Sequence, residues 1–320
     1  MLYKISIMFL LFIFYYRFSD SVKENHLIYN RLFNVINTKY KNKLAFTNKL
    51  TNNSVHILGN KVYVSIFFKN KPYYPKTYDF KKKINKLPCE NFKKLWFVKE
   101  GGSTGGGSKV YPEIGIKNIK NRINSLVEAY PNGVILQENI ESYLINNKKT
   151  DLRIFFVTIL YKKKLYFYLQ NDGFLRLSNY NYNKNDNSKN IHITNTSFQK
   201  TNKRIMISDL KDRKIIMKNL INNHKDISKF IVSKYDNLNS NYNIEYQIAG
   251  CDWIIDKNKN CFLLELNTTS PAWIKKGDTS KITKLKYNLK YFCYKILDCA
   301  IKKNELPKSI HGFNLIYSNS

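Results

Sequence analysis

Two acidic side chains in one short stretch carry the strongest chemical signal in this chain. Residues 250–271 read GCDWIIDKNKNCFLLELNTTSP, two apolar runs around a turn-forming DKNKN, which predicts a β-hairpin. With a loop at 257–260, Asp256 pairs with Cys261, and Asp252 then faces Glu265. Alternation along the strand puts Asn267 on the same face as Glu265. Carboxylates about 5 Å apart on neighbouring strands repel by roughly 3 kcal/mol at an effective dielectric of about 20. A divalent cation removes that repulsion. Asp, Glu and Asn offer oxygen donors, which suits Mg2+ and not zinc. The plainer reading puts Asp252 at a solvated sheet edge and pairs Glu265 with one of the many lysines. The sequence supports either.

Three further features bear on anion chemistry. In KTDLR, Lys149, Asp151 and Arg153 recur with period two and project from one strand face, while Leu152 points to the other. Arg153 can grip a phosphate in fork geometry and Lys149 as a point charge, with Asp151 orienting one of them. Arg176, in GFLRLS, is another charge inside an apolar strand. The run GGSTGGGS holds five of the chain's twelve glycines and follows a strand bearing Lys99. Glycines such as Gly105 and Gly106 let backbone N–H groups approach phosphate oxygens, although the same run reads as a flexible linker. Each feature alone is compatible with a solvated strand face. With the acidic hairpin they describe a polyphosphate site.

The elements that must hold these residues follow from periodicity. Strands are expected at 61–68, 95–98, 134–137, 151–161, 165–169 and from 174, with Asn171, Asp172 and Gly173 as a hairpin turn. Apolar residues at helical spacing predict helices over 119–130, 215–231 and 282–301, and the Asn-rich stretch 179–190 reads as a loop. Strands and helices interleave without βαβ regularity, so the fold class is α+β.

Composition narrows the function classes. With 43% apolar residues, including 24 Tyr and 20 Phe, the chain can build a core, which excludes wholesale disorder. No apolar run reaches the roughly 18–20 residues of a membrane span. A net charge of +31 points to an acidic partner. Lys284, Lys286, Lys290 and Lys295 stud the last predicted helix and Lys81, Lys82 and Lys83 form a run, although a lysine-biased surface explains these equally. Five scattered cysteines read as reduced thiols. Residues 5–16 are almost all apolar, between Lys4 and Arg17, laid out as a secretory signal or equally as a buried strand.

In order along the chain, YPKTYDF (74–80), WFVK (96–99), the glycine run, QENI (137–140), KTDLR (149–153), GFLRLS (173–178), HITNTSFQK (192–200), GCDWIID and LLELN…SP resemble the tubulin–tyrosine ligase family of ATP-grasp ligases. The resemblance implies an ATP-grasp-like α+β fold with two lobes clamping ATP between antiparallel sheets. Its divisions would be a signal-like segment at 1–22, a short N-terminal region at 23–94, a lid and central lobe at 95–140 and a C-terminal lobe with the Mg2+ site at 141–320. It also implies that Lys99, Gly105, Gly106, Thr194 and Asn195 hold the nucleotide phosphates, that Gln137, with the backbone of Glu138, Asn139 and Ile140, meets adenine, and that Lys149 and Asp151 complete the nucleotide site. Arg176, Thr196 and Ser197 would line an amino-acid pocket, Asp252, Glu265 and Asn267 would hold Mg2+, and Arg153 would meet the reacting phosphate. Three positions depart from the pattern: Glu100 replaces a proline, Gly106 replaces a basic or polar residue, and the run from Asn267 to Pro271 is one residue longer.

The implied reaction is ATP-driven amide formation through an acyl phosphate, joining a free amino acid to an acidic protein such as a tubulin C-terminal tail. No nucleophilic side chain is needed, and His192 is expected to be structural. The alternative is a carboxylate–amine ligase acting on a non-tubulin peptide or a small molecule in an organelle. Nucleic acid is not an expected partner. The expected location is cytoplasmic and microtubule-associated, or the secretory pathway or an organelle if the N-terminal segment is a signal. Glu265→Gln is expected to abolish Mg2+-dependent ATP binding, measured by calorimetric titration; unaltered binding would refute the metal assignment.

Overall fold

The computed structural model describes residues 46–47, 58–102, 109–195, 199, 203–234, 244–268 and 278–319. Along the chain these form β1 (Phe46–Thr47), α1 (Lys61–Phe68), β2 (Thr77–Phe80), β3 (Trp96–Glu100), β4 (Val110–Glu113), α2 (Ile116–Ala129), β5 (Val134–Glu138), β6 (Lys148–Tyr161), β7 (Lys164–Gln170) and β8 (Phe174–Asn181). There follow α3 (Lys189–His192), β9 (Arg204–Met206), α4 (Arg213–Lys234), β10 (Ile244–Ile255), β11 (Cys261–Asn267), α5 (Ser280–Lys303), β12 (Ser309–Ile310) and β13 (Phe313–Ser318).

The larger sheet is built on β6 and β10, which run antiparallel from the pair Ile244 and Tyr161 to the pair Trp253 and Leu152. At one end β7 and β13 extend it. At the other end β11 joins β10, while β8 and then β9 join β6. These pairings are all antiparallel, and the short β1 adds a parallel pairing to β10, Phe46 opposite Ile244. The smaller sheet has the order β2, β5, β3, β4, all antiparallel, so β2 joins the strands that follow residue 95.

Strand alternation assigns the two faces of β6. Leu152, Ile154 and Phe156 point into a core with α1 and α4, which also takes Cys251, Trp253 and Ile255 from β10. Phe155, Val157 and Ile159 point the other way, against Leu289, Phe292 and Ile296 of α5. Lys149, Asp151 and Arg153 share the α5-side face, beyond the point where α5 covers it. A third core packs α2 on the smaller sheet. All five cysteines are free thiols.

Three expectations are corrected. Residues 61–68 form helix α1, not a strand. The Asn60 side chain caps it by accepting from the Val62 amide at 2.8 Å, and Val62, Ser65 and Phe68 are buried while Ile66 is exposed, a helical spacing. Phe68 packs against Phe230 of α4 at 5.0 Å between ring centroids, so tertiary packing overrides a β-branched, aromatic composition.

The hairpin of β10 and β11 reaches its facing acids by another route. Ile255, not Asp256, pairs with Cys261, and a bulge between the Asp252 and Trp253 pairings shifts the register back, so Asp252 does face Glu265. The Asp256 carboxylate is taken up by the turn, accepting from the amides of Asn258 and Asn260.

Residues 171–173 are not a hairpin tip. β7 and β8 line the same edge of β6 in succession, with Leu169 opposite Phe156 and Phe174 opposite Arg153. The chain loops out between them, and Gly173 presses onto β6, where an added Cβ would lie 2.6 Å from the Arg153 carbonyl oxygen. Gly173→Ala is therefore expected to destabilise the fold by about 1–3 kcal/mol, the range for overpacking. Urea unfolding that matches the wild type would contradict it.

Candidate active site

On the α5-side face of the larger sheet, charges run across five strands. Asp252 lies between Glu265 on β11 and Arg153 on β6, and Asp151 faces Arg176 on β8, which in turn faces Arg204 on β9. Arg153 grips Asp252 through both Nε and Nη2, the latter at 2.8 Å. Arg176 makes a fork onto Asp151, with Nε to Oδ1 at 2.7 Å, and reaches Asp252 Oδ2 at 3.0 Å. Asp151 thus orients Arg176 rather than Arg153 or Lys149. Its strand places it across from Arg176, whereas Lys149 bonds Asn139 and Arg153 bonds Asp252.

The facing acids are neutralised by cations from three elements. Asp252 is deeply buried and takes the two guanidinium groups, so it is not at a solvated edge. Glu265 pairs with Lys61 of α1 at 3.0 Å and accepts from Asn267 Nδ2 at 2.8 Å. Burial alone would raise the Glu265 carboxyl, but Lys61, the hydrogen bonds and Arg153 hold it well below the usual carboxylate range. Lys61 Nζ also donates to the Gly102 carbonyl at 3.1 Å, tying α1 to the root of the glycine run.

The donor set fits Mg2+. Asp252, Glu265 and Asn267 converge, with Asn267 Nδ2 3.4 Å from Asp252 Oδ2, and turning that amide over would present a third oxygen. Among the described residues there is no group of three or more His, Cys, Asp or Glu side chains. Two carboxylates and an amide cannot cage a cation fully, which matches an ion that keeps water and phosphate ligands.

A pair of lysines spans the two sheets. Lys99 (β3) donates to Gln137 Oε1, and the Gln137 amide donates to Thr77 Oγ1 at 3.1 Å. Lys149 (β6) donates to Asn139 Oδ1 at 3.0 Å and lies 4.7 Å from the centre of the Phe97 ring, with Lys99 5.6 Å from the same ring. Both are buried, and their partners here are neutral amides. Burial, then the charge of Lys61, lowers Lys99 to about 8; burial, then the charge of Lys99, lowers Lys149 to about 7. Two cations held this way form a receptor for an anion.

His192 touches the rings of Phe97 and Tyr182 and its Nε2 meets the Asp186 carbonyl. Burial, then the charge of Lys149, lowers it to about 4, so it stays neutral and makes a poor general base. Thr194 is buried and Asn195 half-buried just beyond α3, while Glu138 and Ile140 lie half-buried beside Gln137 and Asn139. Gly105, Gly106, Thr196 and Ser197 lie outside the described residues, as do residues 1–22.

Sequence reasoning missed Lys61 because it read α1 as a strand, and missed Arg204 because KTNKRIM looks like a solvated basic run. Thr77, behind Gln137, had only its place in YPKTYDF to mark it. Lys286, counted on a basic surface, instead points inward to Asp278 at 2.6 Å.

An antiparallel α+β fold whose smaller sheet brings a lysine against the charged end of a larger one is ATP-grasp-like. The sequence profile of the tubulin-tyrosine ligase family matches residues 24–296, and the chain belongs to that family. Members of this family are ligases. No curated protein matches the chain.

The lysine pair sets a pH dependence. Both groups sit below their ordinary value of 10.5, so between about pH 7 and that value the folded chain holds fewer protons than the unfolded chain, and their contribution to stability rises with pH. A bound polyanion restores the protons. ATP affinity is therefore expected to fall as pH rises above about 7, by up to about tenfold per pH unit for each linked proton. Calorimetric titrations at pH 8.5 in two buffers of different ionisation enthalpy should show proton uptake on binding; none would contradict the assignment.

Proposed function

We propose that this chain is an ATP-dependent carboxylate–amine ligase that joins a free amino acid to an acidic protein, with a tubulin C-terminal tail as the first acceptor to test. The observation that carries the reading is the placement of Lys99 and Lys149, two buried ammonium groups from different sheets on neutral partners, beside a facing acidic pair held by cations. That is the charge distribution a magnesium–triphosphate complements.

In this reading Lys99 and Lys149 bind the phosphates, and Gln137 and Asn139 hold the two lysines in position. Asp252, Glu265 and Asn267 would hold Mg2+, which when bound offsets phosphate charge and polarises the transferred phosphoryl group. Arg153 and Arg176 sit on that edge, their forks held in place by Asp252 and Asp151, where they can stabilise developing negative charge. The acceptor's carboxylate attacks the γ-phosphoryl group, ADP leaves, and the amino acid's amine displaces phosphate from the acyl carbon. Alignment and charge neutralisation carry such a reaction, and no nucleophilic side chain is required. The basic excess of the chain suits an acidic acceptor and makes docking salt-dependent.

The test is incubation of the protein with ATP, Mg2+, tubulin and each labelled amino acid in turn. ATP-dependent label in tubulin is expected. Arg153→Met should lower turnover by about 10²–10³, the range for removing one preorganised donor. Label that forms equally without tubulin would redirect the acceptor to another class, and label that forms without ATP would overturn the reading.

A further inference from the structure

Beyond Arg176, the charged face continues onto a strand that the proposed chemistry does not use. Arg204, on β9, is the cross-strand neighbour of Arg176 and forms an ion pair with Asp278, which stands just before α5. Lys286 of α5 also binds Asp278, at 2.6 Å, so two cations converge on one carboxylate. All three side chains are at least 95% shielded from solvent. The Phe174 ring lies near both cations, 5.4 Å from the Arg204 guanidinium and 5.8 Å from Lys286 Nζ. The Arg204 Nε is buried and donates to no group among the described residues. Burial, then the like charges of Arg176 and Arg153, lowers Arg204 to about 10. A guanidinium so placed, with a donor unspent, is matched by a further carboxylate.

We infer that Arg204 is a specificity residue that reads the side-chain carboxylate of the incoming amino acid, which is therefore dicarboxylic, of the glutamate class. This rests on the ligase reading, with Arg176 at the amino acid's α-carboxylate. Neighbouring strands lie about 4.8 Å apart, on the order of the spacing between the two carboxyl carbons of glutamate. Arg176 and Arg204 on adjacent strands thus offer one cation to each end. A neutral isostere such as glutamine would leave the second guanidinium unmatched, and sites built on a charged hydrogen bond reject such analogues strongly.

The test uses the full chain saturated with Mg2+ and a non-hydrolysable ATP analogue, and measures the Kd of L-glutamate, L-glutamine, L-tyrosine and glycine by calorimetry. Wild type is expected to bind glutamate at least tenfold more tightly than glutamine. Arg204→Met should bring that ratio close to one with affinity for the ATP analogue unchanged, and Arg204→Lys should keep part of the preference. Equal glutamate and glutamine affinities in wild type, or preference for tyrosine or glycine, would overturn the inference without any variant. So would an Arg204→Met protein that melts earlier yet keeps the full preference, since the cluster would then be structural alone. Failure of wild type to bind the ATP analogue would instead overturn the ligase reading, and this inference with it.

Discussion

A buried carboxylate cannot face another without a cation beside it, and this constraint organises the charged face of the larger sheet. Asp252 and Glu265 meet across β10 and β11, and Arg153, Arg176 and Lys61 arrive from three different elements to neutralise them. Removing any one cation would leave buried charge uncompensated, which costs far more than a surface ion pair contributes. The same geometry makes the face ready for exchange. A divalent ion on the acidic pair would take over the neutralisation, leaving the guanidinium groups able to meet negative charge elsewhere.

The rest of the fold keeps those groups in place. Behind the face, Leu152, Cys251 and Trp253 are buried against α1 and α4, so the strands carrying Arg153 and Asp252 cannot tilt without breaking a packed core. The close passage of Gly173 over the Arg153 carbonyl fixes β8, and with it Arg176, at the right distance from Asp151. The smaller sheet supplies Phe97, Lys99 and Gln137, and its own core with α2 holds them as a unit. Lys61 joins these parts, since it touches both Glu265 and the carbonyl of Gly102.

The two lysines and the arginine row divide the labour by charge type. Lys99 and Lys149 are compact ammonium ions whose protonation burial can shift into the neutral range, so their charge responds to what is bound. Guanidinium groups stay charged under the same burial and supply direction through their forks. The proposed reaction, which recognises a polyanion and aligns a reacting carboxylate, would use both.

Much of this was written locally. Alternation along KTDLR put Lys149, Asp151 and Arg153 on one face, and the patterns of 119–130, 215–231 and 282–301 marked α2, α4 and α5, because side-chain periodicity depends only on near neighbours. Even the facing of Asp252 and Glu265 was legible, although the bulge that secures it was not, since a bulge is decided by how the strands pack. Tertiary structure alone decided which charge meets which. Asp151 turned to Arg176, Lys286 turned inward to Asp278, and a β-like segment became the helix that delivers Lys61 to Glu265. Those partners are distant in sequence, and their energies depend on burial and cross-strand neighbours that no local pattern encodes.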